Sequence, residues 1–210
     1  MSDYKVEFLK VALAHLLAVV SPGPDFAVVL KQSLIRGRRA AIWTAGGIGT
    51  AILLHVTYSL FGIGLLLRGS PLWFSAVKYA GAGYIAWLGL QSLRAAPRSA
   101  ELGVGREPSG GTDRGAYLTG FLTCALNPKA SLFFISLFAM VVSPQTPKAV
   151  QAFYGGWMAV VTAGWFCCVA VLFTQEQVRR AFLRHGHWID RALGVLFLLL
   201  AARLVLATLN

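Results

Sequence analysis

The chain has 210 residues, 57% of them hydrophobic and 13% charged, with a formal net charge of +11. A soluble domain carries about 25% charged residues, so this composition excludes an ordinary soluble fold, a disordered chain and a coiled coil. Its cysteines, Cys124 and the adjacent Cys167 and Cys168, are too few for a disulfide scaffold.

Six stretches meet the roughly 20 mostly apolar residues that a membrane-crossing helix needs. They are about 6–34, 40–67, 72–93, 115–142, 150–174 and 189–209. The first begins after Lys5 and resembles a signal peptide as far as Val11-Ala12-Leu13-Ala14. The apolar run resumes at Phe26 without a suitable cleavage site, so it reads as a retained span. In its middle lies Ser21-Pro22-Gly23-Pro24-Asp25. Proline lacks a backbone N–H and pushes the residue before it out of helical geometry, so this span is expected to break. Span 2 opens with Ala45-Gly46-Gly47 and carries His55, either a packing residue or a proton relay. Span 3 contains Gly81-Ala82-Gly83-Tyr84.

Residues 94–114, rich in Gly, Pro, Ser and charge, read as a linker between two halves, 1–93 and 115–210. Span 4 carries Leu126-Asn127-Pro128-Lys129 in its middle and is expected to break as span 1 does. Ser21 and Asn127 are suited to N-cap the half-helices that follow, with Pro22 and Pro128 as their first residues. Span 5 opens with Tyr154-Gly155-Gly156, and span 6 contains Gly194-Val195-Leu196-Phe197. Deep glycines, from Gly46 to Gly164, read as places where helices approach closely. Trp87, Trp157 and Trp165 read as packing residues.

Twelve of the nineteen Lys and Arg residues sit in or beside the first, third and fifth loops (around 36–39, 94–114 and 175–187). The positive-inside rule puts those loops in the cytoplasm and both termini outside. The clusters are topology determinants that meet lipid headgroups, not a nucleic-acid site.

The three matches between the halves fall in the same order, which points to a repeat. Because three spans cross an odd number of times, the second half enters from the opposite side. The expected architecture is all-α: six transmembrane helices as two inverted three-helix repeats with helices 1 and 4 broken. Many transporters are built this way, with half-helix N-termini meeting at a midplane site. Ionisable groups at that depth are costly, so each is a candidate for function. Asp25 and Lys129 occupy corresponding positions with opposite sign, which suits recognition of a zwitterion: Asp25 for an ammonium, Lys129 for a carboxylate. A structural ion pair between the two is the competing reading. His15 is a weaker candidate, and Lys78 and Arg203 read as snorkelling to the surface.

Ser-Pro-Gly-Pro-Asp in span 1, the glycine-rich start of span 2, the run from Lys78 to Gly89 in span 3 and Asn127-Pro128-Lys129 in span 4 together resemble the LysE/RhtB family of amino-acid exporters. Ala125 stands where that pattern has leucine. The resemblance implies proton-coupled export of amino acids or small derivatives across the bacterial cytoplasmic membrane. It implies no enzyme activity, metal or cofactor. The expected site comprises Ser21, Pro22, Gly23, Pro24, Asp25, His55, Asn127, Pro128 and Lys129, and the expected mechanism is alternating access as the halves rock. Expected partners are the amino acid, protons and lipid, and a homodimer would shield the polar breaks. Export of an inorganic cation is the alternative. It is disfavoured because Asp25 is the one deep carboxylate and Lys129 opposes a cation. A thiol electron carrier is disfavoured because Val20 stands opposite Cys124 in the repeat.

Overall fold

The computed structural model describes residues 2–69, 71–96, 111–143 and 145–209. Residues 97–110, with Arg98 and Arg106, and the side chains of Lys78 and Arg203 lie outside the described residues. All regular structure within them is helical: α1 (Ser2–Val20), α2 (Pro24–Ile35), α3 (Gly37–Gly69), α4 (Pro71–Leu93), α5 (Asp113–Ala125), α6 (Pro128–Met140), α7 (Lys148–Leu172) and α8 (Glu176–Leu209). By length and apolar composition α3 and α7 can each cross a membrane. The pairs α1–α2 and α5–α6 bring the number to four when each is counted as one bent span.

The two bends fall where the prolines require them. The first pair turns by 50° and the second by 56°. At the second break Asn127 caps α6 by accepting the Lys129 N–H at 3.0 Å, with Pro128 as the first helical residue. The first break departs from the expectation that Ser21 would cap and Pro22 begin the helix. Here α2 starts at Pro24 with the extended Gly23 as its N-cap and no side-chain cap. Pro24 pushes Gly23 out of helical geometry, so a helix begun at Pro22 would be interrupted there and α2 starts at the second proline. Ser21 is thereby left for another partner.

A second departure concerns the fifth loop. Gln175–His187 is helical from Glu176 onward, as part of α8. The segment has no proline, Glu176 and Arg180 pair one turn apart, and Phe182 packs between Phe26 (4.9 Å) and Phe173 (5.0 Å). Hydrophobic anchorage turned a polar-looking loop into a docked helix end.

Helices in a bilayer gain little from burying apolar surface against one another, so close backbone approach and interhelical hydrogen bonds decide the packing. The α3–α5 contact has both. A Cβ on Gly47 would stand 2.0 Å from Tyr117 O, and one on Gly120 2.0 Å from Thr44 O. Beside them Thr44 Oγ1 donates to Ala116 O at 3.1 Å, and Thr50 and Tyr117 share a hydrogen bond of 2.7 Å. α3 also packs on α7, and α4 on α6 and α8. Not every deep glycine serves this way: Gly62, Gly83, Gly156 and Gly164 face open space. Replacing Gly120 with valine is expected to cost at least about 3 kcal/mol, since two helix backbones must part. A thermal melt in detergent within a few degrees of wild type would contradict this packing.

The ends of the molecule are tied in two groups. At one end the Glu7 carboxylate accepts from Ser143 N (2.8 Å) and Thr146 Oγ1 (2.9 Å), and Tyr154 Oη donates to Tyr4 O (3.1 Å). At the other, Arg39 forks onto Asp113 (2.7 Å) and Arg36 reaches Thr112 O (3.4 Å). The N-terminus thus shares an end with the α6–α7 connection, and the α2–α3 connection shares one with the start of α5.

Candidate functional site

The two breaks meet in the interior, and Lys129 joins them. Its Nζ donates to Ser21 Oγ at 3.0 Å and to the main-chain oxygens of Ser21 and Pro22, each at 3.2 Å. These carbonyls lie in the stretch that the prolines removed from the helix. A Cβ on Gly23 would stand 3.3 Å from that ammonium, so glycine there leaves room for it.

Lys129 does not form a direct ion pair with Asp25. The carboxylate lies among the side chains of Asn127, Cys124 and Lys129, and its Oδ1 is buried without a hydrogen-bond partner. The bland alternative of a simple structural ion pair is therefore not the geometry found. An ammonium held by backbone and a carboxylate with an unused oxygen share one small volume.

Two cavities flank this junction. The central one is lined by Ser21, Gly23, Asp25, Asn127 and Lys129, by aromatic and aliphatic side chains, and by His15 and Thr162. The other, larger one again reaches Ser21, Gly23, Asn127 and Lys129, and adds Pro22, Pro24, Pro128, Tyr84, Trp87, Gln91, Ser92 and Asp190. Lys129 stands at the wall common to both.

His55 lines neither. It is fully buried and its Nε2 lies 2.9 Å from Cys124 O. Cys124 is four residues before Pro128, so its carbonyl is the one whose helical partner the proline removed. The carbonyl accepts from Asn127 N at 2.9 Å instead, and His55 adds a second N–H to it. The Nε2–H form leaves Nδ1 to accept from Tyr58 Oη, and the ring stacks on Phe134 at 5.5 Å. Cys124 Sγ, 3.8 Å from His55 Nε2, stands between the imidazole and Asp25. Replacing His55 with alanine is expected to cost about 1 kcal/mol, because the carbonyl keeps only the Asn127 N–H and the hydrogen bond to Tyr58 is lost. His55→Gln, which can still donate, should recover part of that loss in a detergent melt. Equal stability of both variants with wild type would remove the capping role.

Several lining residues escaped the sequence reading. Trp87, taken there for packing, is half exposed at the larger cavity and stacks with Tyr84 at 5.6 Å. Asp190 is buried at the start of the apolar part of α8 and acts electrostatically on Lys129. Thr162 carried no signal, being a lone hydroxyl in α7. Among the described residues, no group of three or more His, Cys, Asp and Glu is placed to hold a metal ion.

The family described as LysE type translocator matches residues 16–208. The chain belongs to the LysE-type translocators. It is 31% identical over 191 residues to the threonine efflux protein of Escherichia coli K12, covering 90% of this chain and 93% of that one. A leucine efflux protein of Klebsiella pneumoniae is 30% identical over 154 residues, 71% of this chain and 69% of its own. A homoserine/homoserine lactone efflux protein of Salmonella typhimurium is 30% identical over 139 residues, 66% of each chain. No solved structure matches the chain. A LysE-type translocator moves its solute without transforming it, so the chain is a transporter and not an enzyme. The family match covers both breaks and every residue that joins them.

Proposed function

We propose that this translocator exports amino acids or small amino-acid derivatives across the bacterial inner membrane, by alternating access and in exchange for protons. The observation that carries the reading is the junction of the two breaks, where Lys129 and Asp25, with its unpaired Oδ1, line the same cavity. A zwitterion needs both charges, and a purely cationic or anionic solute would be repelled by one of them. The names of the relatives, threonine, leucine and homoserine efflux proteins, support the same substrate class. They range over hydroxylated and aliphatic side chains, so they leave the particular amino acid open.

In this reading the molecule comprises six spans in two inverted repeats, 1–93 and 115–210, joined by the 94–114 linker. The basic loops face the cytoplasm and both termini face outward. The larger cavity, lined by the last turns of α4 and by Asp190, then opens to the cytoplasm as the entry side. An arriving carboxylate draws Lys129 from the carbonyls of Ser21 and Pro22, and the ammonium end is received by Asp25. Closure behind the substrate and opening ahead of it complete export. A proton returns through Asp25, with His55 reached through Cys124.

The test compares amino acids accumulating outside bacteria that overexpress the protein with those outside bacteria carrying an empty vector. One or a few amino acids enriched outside the expressing cells supports the reading. An unchanged amino-acid profile, together with raised tolerance to a metal salt, would replace it with cation export.

A further inference from the structure

The central cavity has a second polar corner. Away from the break its walls are apolar, with Phe26, Phe133 and Phe166 among them, except where His15 of α1 meets Thr162 of α7. His15 Nε2 lies 3.0 Å from Thr162 Oγ1, and the residue is 2% exposed. Its Nδ1 has no hydrogen-bond partner. The other deep histidine differs in this respect: His55 uses both ring nitrogens. A buried polar atom left unpaired costs about 1–3 kcal/mol, and leucine would fill the same space without that cost. His15, which lines the same cavity as Asp25, thus has one buried ring nitrogen without a hydrogen-bond partner.

We infer that His15, oriented by Thr162, is a specificity-determining residue that hydrogen-bonds a hydroxyl on a short substrate side chain. The inference rests on the reading of the protein as an amino-acid exporter and adds which amino acids it prefers. Whether Nδ1 donates or accepts depends on which partner of the His15–Thr162 bond carries the hydrogen, and a hydroxyl serves in either case. A charged side chain would instead lie desolvated among phenylalanines.

Threonine and valine have nearly the same shape and differ by that hydroxyl, so their transport ratio isolates the contact. Purified protein in liposomes is assayed by counterflow with each labelled amino acid, for wild type, His15→Leu and Thr162→Val. Wild type should favour threonine. His15→Leu should move the threonine-to-valine ratio about 10- to 100-fold toward valine, through the Michaelis constant for threonine. Thr162→Val should move it less, in the same direction. An unchanged ratio in His15→Leu, with both amino acids still carried, overturns the inference and leaves amino-acid export standing. If His15→Leu does not reach the membrane, Thr162→Val decides: a shift toward valine supports the inference and an unchanged ratio overturns it. Wild-type liposomes that carry no amino acid at all overturn the underlying reading instead.

Discussion

Lys129→Met should reduce substrate counterflow at least about 100-fold and lower the melting temperature in detergent. Both effects come from one ammonium. Its three hydrogen bonds satisfy Ser21 Oγ and two main-chain oxygens of the first break. Methionine keeps the length and apolar stem of the lysine but leaves those oxygens buried and unpaired, at about 1–3 kcal/mol each. It also removes the positive charge proposed to receive the substrate's carboxylate. Lys129→Arg separates the two contributions. The guanidinium keeps the charge but spreads five donors over a plane, in a space where even a Cβ on Gly23 would come within 3.3 Å of Nζ. Its stability should lie between the other two while counterflow falls about 10-fold, because charge alone does not place a carboxylate. Full activity in Lys129→Met would show that the ammonium is not part of the site.

Asp25→Asn should remove accumulation driven by a pH gradient, an effect of about 100-fold or more on net export. Whatever exchange remains should no longer respond to external pH. The substitution changes little in shape, since the carboxylate already lies beside Asn127 and Cys124. What it removes is the group that can gain and lose a proton next to the substrate. The measurement is uptake of labelled amino acid into inside-out vesicles, with the pH gradient imposed or collapsed. If Asp25→Asn vesicles accumulate substrate with an unaltered dependence on the gradient, the proton travels by another route.

The parts of this site that are legible in the chain are those that proline chemistry writes locally. Pro128 needs no distant partner to end α5, and Asn127 caps the next helix with its own side chain. The second break could therefore be read residue by residue, whereas the first was placed in the right stretch with its helix start at Pro22 where the structure has Pro24. The partner of Lys129 could not. Equivalence in the repeat suggests Asp25, but the ammonium reaches the main chain of the first break, and the crossing of the two broken helices decides that. Asp190, Trp87 and Thr162 come from three different helices and join the cavities through packing alone. His55 was visible as an unusual residue, and the carbonyl orphaned by Pro128 was visible too. That one answers the other depends on α3 touching α5, 69 residues apart along the chain. The start of α8 was misjudged because a run of charged residues outweighed a single phenylalanine, Phe182, whose ring contacts hold that segment down.

The glycine contact between α3 and α5 sets a condition on how the transporter moves. Gly47 and Gly120 bring two backbones so close that a Cβ at either would overlap the facing main chain, which favours the two helices moving together. One of these helices comes from the first half of the chain and the other from the second. In the proposed cycle the 94–114 segment, which divides the chain, is therefore not the line along which the molecule opens. Whatever shifts to admit and release a solute then carries α3 and α5 as one piece, and the relative motion falls to elements outside that clamp.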